Sequence, residues 1–221
     1  MSDTSTTKGL KASQQLYIEG DFDQAIEKTL ESKDELDQGL FHYNLGSLYL
    51  KKGSYGPARY HLEKAKKSDF SYPMLWNNLS FLNSQREVLD PTKSPFLKEK
   101  LIGHYMDLPS VLLTVVVALS LATTLLAIRF RRLKNYWLAA LLIIVSVSPW
   151  AVRLALDRNY KFAVVIKGAR VFEGPSKIFQ DFGQIPEGSR VIVGKYHDKW
   201  YYILSPSDFS GWVEKSTLGF Y

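Results

Sequence analysis

The stretch LPSVLLTVVVALSLATTLLAI, Leu108 to Ile128, carries no charged residue, and a second such run, YWLAALLIIVSVSPWAV, follows from Tyr136 to Val152. Between them lies the basic sequence Arg129-Phe130-Arg131-Arg132-Leu133-Lys134. The first run has 21 residues. At about 1.5 Å rise per residue it covers roughly the 30 Å hydrocarbon core of a bilayer. The second has 17 residues, near the lower limit for a span, with Trp137 and Trp150 near its ends, where amphipathic rings favour the interface. A buried helical hairpin of a soluble protein rarely stays apolar on every face for so long. The reading is therefore a transmembrane hairpin: helix one at 108–128, a basic turn at 129–135, helix two at 136–155. Transporters and pumps place ionisable groups in the membrane because a substrate path needs them. Neither apolar run has one, so the pair reads as an anchor. Ser146, Ser148 and Pro149 are read as packing or kinking positions.

Roughly 105 residues remain before the hairpin and about 65 after it, room for one small domain on each side and none for a large catalytic fold. The net charge of +6 raises the question of a nucleic-acid partner. Residues 129–161 hold seven basic groups against Asp157, which equals the whole excess. The basicity therefore flanks the membrane, and lipid rather than nucleic acid is its expected partner. Zero cysteines exclude disulfides, thiol catalysis and thiolate metal sites.

Residues 1–90 repeat on themselves. An offset of 34 aligns His42, Asn44, Leu45 and Gly46 with Trp76, Asn78, Leu79 and Ser80, and an offset of 33 aligns Leu16, Gly20, Phe22 and Ala25 with Tyr49, Gly53, Tyr55 and Ala58. That period belongs to tetratricopeptide repeats. The best copy is Gly39 to Phe70: Gly46 and Ala58 are small where helices cross, Tyr49 and Tyr55 fill the space beside them, and Gly53 ends the first helix. An earlier copy spans about Thr6 to Leu36, and Pro73 to about Val88 supplies one closing helix. Asn44 and Asn78 fall at one register of successive first helices. Tyr43, Ser47 and Lys51, then Asn77, Phe81 and Gln85, take the neighbouring inward positions. An asparagine amide donates and accepts at once, so this row can hold the backbone of an extended peptide. The competing reading is that these amides only bridge adjacent helices.

From Phe162 the pattern changes to short alternating runs, Ala163–Ile166, Arg190–Val193, Trp200–Leu204 and Gly211–Val213, separated by Gly174-Pro175-Ser176, Pro186-Glu187-Gly188 and Ser205-Pro206-Ser207-Asp208. Five or six strands in residues 162–221 suit a small barrel. The Gly-Pro-Ser turn, the Glu187-Gly188 turn before a Val/Ile strand, Asp198-Lys199-Trp200 and the closing Gly211-Trp212-Val213 resemble bacterial SH3-like domains. Tyr196, Trp200, Tyr201, Phe209 and Trp212 are candidate surface aromatics, although so small a barrel needs at least half of them inside.

His42, His61, His104 and His197 are scattered over three regions without a paired motif, so no metal site is expected. No phosphate-binding loop, nucleophile elbow or dinucleotide fingerprint is present, and neither cofactor nor catalytic residue is assigned. The chain thus reads as a multi-domain membrane protein: an all-α repeat array (1–90), a linker (91–107), a transmembrane α-hairpin and an all-β SH3-like barrel.

This order of modules resembles the BatE family of bacterial aerotolerance (Bat operon) proteins, most specifically in His42-Tyr43-Asn44-Leu45-Gly46 through Ala65, the basic turn, and Ala163-Val164-Val165 through Trp212-Val213. The resemblance implies a non-catalytic scaffold of the cell envelope, beside von Willebrand A-domain membrane proteins and a MoxR-type ATPase. A peptidoglycan-binding envelope sensor built on the barrel is the alternative. Met1 to Lys11 lacks the apolar core of the signal peptide that family members commonly carry. The basic turn favours the cytoplasmic side of a bacterial inner membrane, which places both soluble modules in the periplasm and supposes an upstream segment.

Overall fold

The computed structural model describes residues 3–68, 72–85, 88–130 and 135–221, with side chains described from Leu10 onward. It divides into two compact units: Met1–Lys93 together with Phe162–Tyr221, and Ser94–Lys161.

The first unit opens with helices α1 (Asp3–Glu19), α2 (Phe22–Glu31), α3 (Gln38–Lys52), α4 (Tyr55–Lys67) and α5 (Pro73–Ser84). The 33-residue offset read from the sequence reappears as backbone geometry. Gly20 and Gly53 share φ +81°, a left-handed conformation that costs glycine nothing. Around each, the same bonds close the helix: Gly20 N donates to Tyr17 O and Asp21 N to Leu16 O, as Gly53 N does to Leu50 O and Ser54 N to Tyr49 O. Asp21 then caps α2 through Gln24 N at 3.1 Å, and Asp37 caps α3 through Gly39 N and Leu40 N. Within the second hairpin, a Cβ on Gly46 would stand 2.6 Å from Leu62 Cγ. That contact is why α3 and α4 tolerate no side chain there. Ala25, Phe41, Leu45 and Leu48 fill one core, and Leu62, Ala65, Leu75, Leu79 and Leu82 the next.

The same unit ends in an antiparallel sheet of seven strands: β1 (Lys161–Val165), β2 (Ala169–Phe172), β3 (Asp181–Ile185), β4 (Arg190–His197), β5 (Trp200–Ser205), β6 (Trp212–Glu214) and β7 (Leu218–Phe220). Their order is β3-β2-β6-β5-β4-β1-β7. Its core is Ala163, Val165, Ala169, Val171, Ile185, Val191, Val193, Ile203, Val213 and Leu218. Strands β2, β3 and β7 go beyond the runs read from sequence, because Arg170, Gln184 and Gly219 interrupt the alternation there.

Array and sheet pack into one body. A Cβ on Gly56 of α4 would lie 2.1 Å from the backbone oxygen of Ile166, and one on Gly219 of β7 2.6 Å from the Tyr60 ring. Leu89, just past α5, packs on the sheet core, while its carbonyl accepts from Arg190 N at 2.8 Å.

The second unit holds α6 (Leu97–Asp107), α7 (Ser110–Arg129) and α8 (Tyr136–Asn159). Helices α7 and α8, of 20 and 24 residues, are long and apolar enough to cross a membrane. They meet through Ser120 Oγ and Ser146 Oγ at 2.6 Å and through Trp150 Nε1 donating to Thr114 Oγ1 at 3.4 Å. Helix α7 starts two residues later than read, because Pro109 takes the cap position. Helix α8 runs past 155, where Arg153 and Asp157 pair one turn apart at 2.8 Å. Residues 91–107, read as a linker, contain a 3-10 turn at Pro91–Lys93 and helix α6; Lys98, Glu99, Lys100 and Gly103 obscure its period. Within the basic turn, residues 131–134 lie outside the described residues.

Candidate functional site

The inward row of α3 and α5 is partly closed by its own bonds. Asn78 Nδ2 donates to Ser47 Oγ at 3.0 Å, tying α5 to α3. Gln85 Nε2 donates to Phe81 O at 3.4 Å, so this side chain helps to end α5. Asn44 behaves differently: its Nδ2 is buried and has no hydrogen-bond partner among the described residues. An amide donor left in that state costs about 1–3 kcal/mol, which an incoming carbonyl would relieve.

The other residues of the row are apolar and polar in turn. Tyr43 meets the Tyr72 ring edge-on at 5.7 Å, and burial raises its phenol pKa above the ordinary value, opposed by Ser47. Phe81 and Tyr72 are about half exposed, with Phe81 edge-on to Tyr55. Lys51 and Asn77 are exposed. Asn77 Nδ2 makes a long contact to Met74 Sδ, 3.9 Å.

The sheet separates its five candidate aromatics. Trp200 is buried, its ring edge-on to Phe172 at 5.3 Å, so it belongs to the core. Tyr196 and Tyr201 are register partners on β4 and β5. Their rings stand 4.7 Å apart, and Tyr201 continues to Phe220 at 4.8 Å. Tyr196 is exposed, with Lys215 Nζ 5.9 Å from its ring centre. Trp212 is half-buried against Tyr202, and Phe209 packs at the core's margin. Ile178, Phe179 and Phe182 are also exposed; they follow the Gly174-Pro175-Ser176 turn, where the sequence shows no alternating run.

A buried charge cluster joins array to sheet, and no motif announces it. Arg59 Nη2 donates to Asp90 Oδ2 and to Asn83 Oδ1, both at 2.5 Å, while its Nη1 reaches Gly188 O at 3.1 Å. Arg190 of β4 approaches the same Asp90 oxygen at 3.3 Å and Glu63 Oε1 at 3.4 Å. Its Nε donates to the Tyr221 hydroxyl, and its guanidinium lies 4.5 Å from the Phe162 ring centre. Arg59, Glu63, Asp90 and Arg190 are all under 9% exposed. Desolvation pushes the Asp90 carboxyl upward, but Arg190, Arg59 and the bonds from Thr92 outweigh it and hold the group below the ordinary carboxylate value. Two arginines against two carboxylates leave no net charge to bury.

The structure also brings together two histidines that sequence reading left scattered. His42 Nδ1 and His61 Nδ1 are 2.9 Å apart across α3 and α4, and Tyr49 stacks on His61 with a 7° interplanar angle. Among the described residues no group of three His, Cys, Asp or Glu side chains is placed to hold a metal. Burial, then His42 and Lys64, push the His61 pKa down to about 3. An unfolded imidazole takes up its proton near pH 6.5. Between those values unfolding binds a proton, so stability falls as acid is added, by up to about 1.4 kcal/mol per pH unit. Denaturation midpoints measured from pH 7 to pH 5 are expected to drop, and His61→Phe is expected to flatten that drop. Equal slopes in the two proteins would contradict the assignment.

No family model, curated protein or solved structure matches this chain.

Proposed function

We propose that the chain is a non-catalytic scaffold anchored in a bacterial inner membrane by α7 and α8, recruiting envelope proteins through a tetratricopeptide-type groove on α3 and α5. The observation that carries this reading is Asn44 Nδ2, a buried donor without a hydrogen-bond partner among the described residues, on an array that also carries the half-exposed rings of Tyr72 and Phe81. A peptide carbonyl supplies the missing acceptor, and the rings supply apolar contact that does not depend on sequence. The sheet, read as SH3-like, presents Tyr196 and Tyr201 as a second contact surface. Because array and sheet share one buried charge cluster, a partner touching both meets a preorganised pair of surfaces.

On this reading the array and sheet lie in the periplasm, and a Bat-type aerotolerance or stress complex, with von Willebrand A-domain proteins and a MoxR-type ATPase, is the assembly it would serve. The test is capture of partners from detergent extracts by the full chain and by its Asn44→Ala/Asn78→Ala variant. Recovery of at least one envelope protein is expected to fall about tenfold, the scale of a lost interface anchor. Unchanged recovery of every partner would remove the groove from the account. Co-sedimentation of the full chain with purified peptidoglycan, lost in Tyr196→Ala, would instead support a wall sensor acting through the sheet.

A further inference from the structure

Helix α6 turns an uncovered apolar stripe outward. At about 100° per residue, Leu97, Leu101, His104 and Leu108 share one face. Leu97 is 70% exposed, Leu101 59%, and Phe96, just before the helix, 48%. Glu99, Gly103 and Met106, on the opposite side, are buried. Lys98 and Lys100 are exposed and fall to either side of the stripe.

The place of this helix in its unit decides what covers the stripe. Only Leu108 and Pro109 separate α6 from α7. Arg153 Nη1 donates to Tyr105 O at 3.0 Å and to Leu108 O at 3.1 Å, and the Tyr105 hydroxyl donates to Pro149 O. Arg153 is the first charged residue beyond the uncharged run of α8. Its bonds therefore pin the end of α6 at the level where α8 leaves its apolar stretch. A short helix at that level, with a leucine stripe flanked by lysines, has the pattern of a segment lying in the plane of a membrane surface.

We propose that α6 lies in the headgroup–acyl boundary of the membrane, with Phe96, Leu97 and Leu101 among the upper acyl chains and Lys98 and Lys100 reaching the lipid phosphates. The lysine stems extend along the apolar layer while their ammonium groups stay at the phosphates. This inference rests on the reading that α7 and α8 cross a bilayer.

The chain has no cysteine, so single cysteines can be introduced and labelled without background. Four full-length variants, Leu97→Cys, Leu101→Cys, Leu119→Cys and Glu31→Cys, are labelled with an environment-sensitive fluorophore. They are reconstituted in phosphatidylcholine–phosphatidylglycerol vesicles containing lipids with a nitroxide high or deep on the acyl chain. The Leu97 and Leu101 labels are expected to lose emission to the shallow nitroxide, the exposed Leu119 label to the deep one, and the Glu31 label to neither. Quenching at Leu119 with full emission at Leu97 and Leu101 would overturn the interfacial helix and leave the membrane reading standing. Full emission at Leu119 would defeat both.

Discussion

Asp90→Ala is expected to destabilise the unit formed by array and sheet by about 3–5 kcal/mol, the scale of breaking a buried ion pair from one side. The carboxylate sits between Arg59 and Arg190. Without it Glu63 is the carboxylate that the two buried guanidinium groups still share. Replacing Arg190 by methionine in the Asp90→Ala background is expected to recover part of the loss, because the surplus positive charge goes with it. Denaturant unfolding of the detergent-solubilised chain, followed by hydrogen exchange in α4 and β4 together, measures the effect. A loss below about 1 kcal/mol would mean that the cluster is not what holds the two parts together. Acidity offers a second reading of the same group. Its folded pKa lies below the ordinary value, so its stabilisation is present above the carboxylate range and disappears as pH falls through that lower value. The alanine variant should lack this acid limb.

The second large effect is steric. Gly56→Val would place a Cβ 2.1 Å from Ile166 O and 2.6 Å from Ile166 C. Both are backbone atoms, so rotating a side chain cannot relieve the clash. Either α4 or the segment after β1 must move. Overpacking of this kind costs about 1–3 kcal/mol or more. It should also weaken the bonds beside it, Tyr55 N to Glu187 Oε1 and Arg59 Nη1 to Gly188 O. Faster hydrogen exchange at Ile166, Gly188 and Arg190 is expected, with the α1–α2 hairpin unchanged. Exchange at wild-type rates would contradict the close approach of array and sheet.

What could be read from the chain, and what could not, divides by the range of the interaction. Gly20 and Gly53 act within a turn of their own helices, and their shared φ of +81° answers a repeat already visible in the residues. The two apolar helices are equally local. Arg59, Glu63, Asp90 and Arg190 are different. Each looks like an ordinary surface charge within its own segment, and only packing across 100 residues of chain brings Asp90 and Arg190 together. Arg59 and Glu63, one turn apart on α4, were the faint signal, since their face also carries Leu62. His42 and His61 meet for a similar reason: each fits a helical period, but their contact depends on how α3 and α4 cross. Of the two asparagines read as inward-facing, Asn78 follows the bridging reading through Ser47, whereas Asn44 Nδ2 has no hydrogen-bond partner among the described residues. Those two asparagines are equivalent in the repeat and separate only in three dimensions, because the Ser47 hydroxyl oxygen accepts from one of them.

The anchoring of the chain is tested most directly by fractionating cells that express the full-length protein. The account predicts that it stays in the membrane pellet through high salt and alkaline carbonate and is released by detergent, as two lipid-spanning helices require. Recovery in the supernatant after ultracentrifugation without detergent would contradict it.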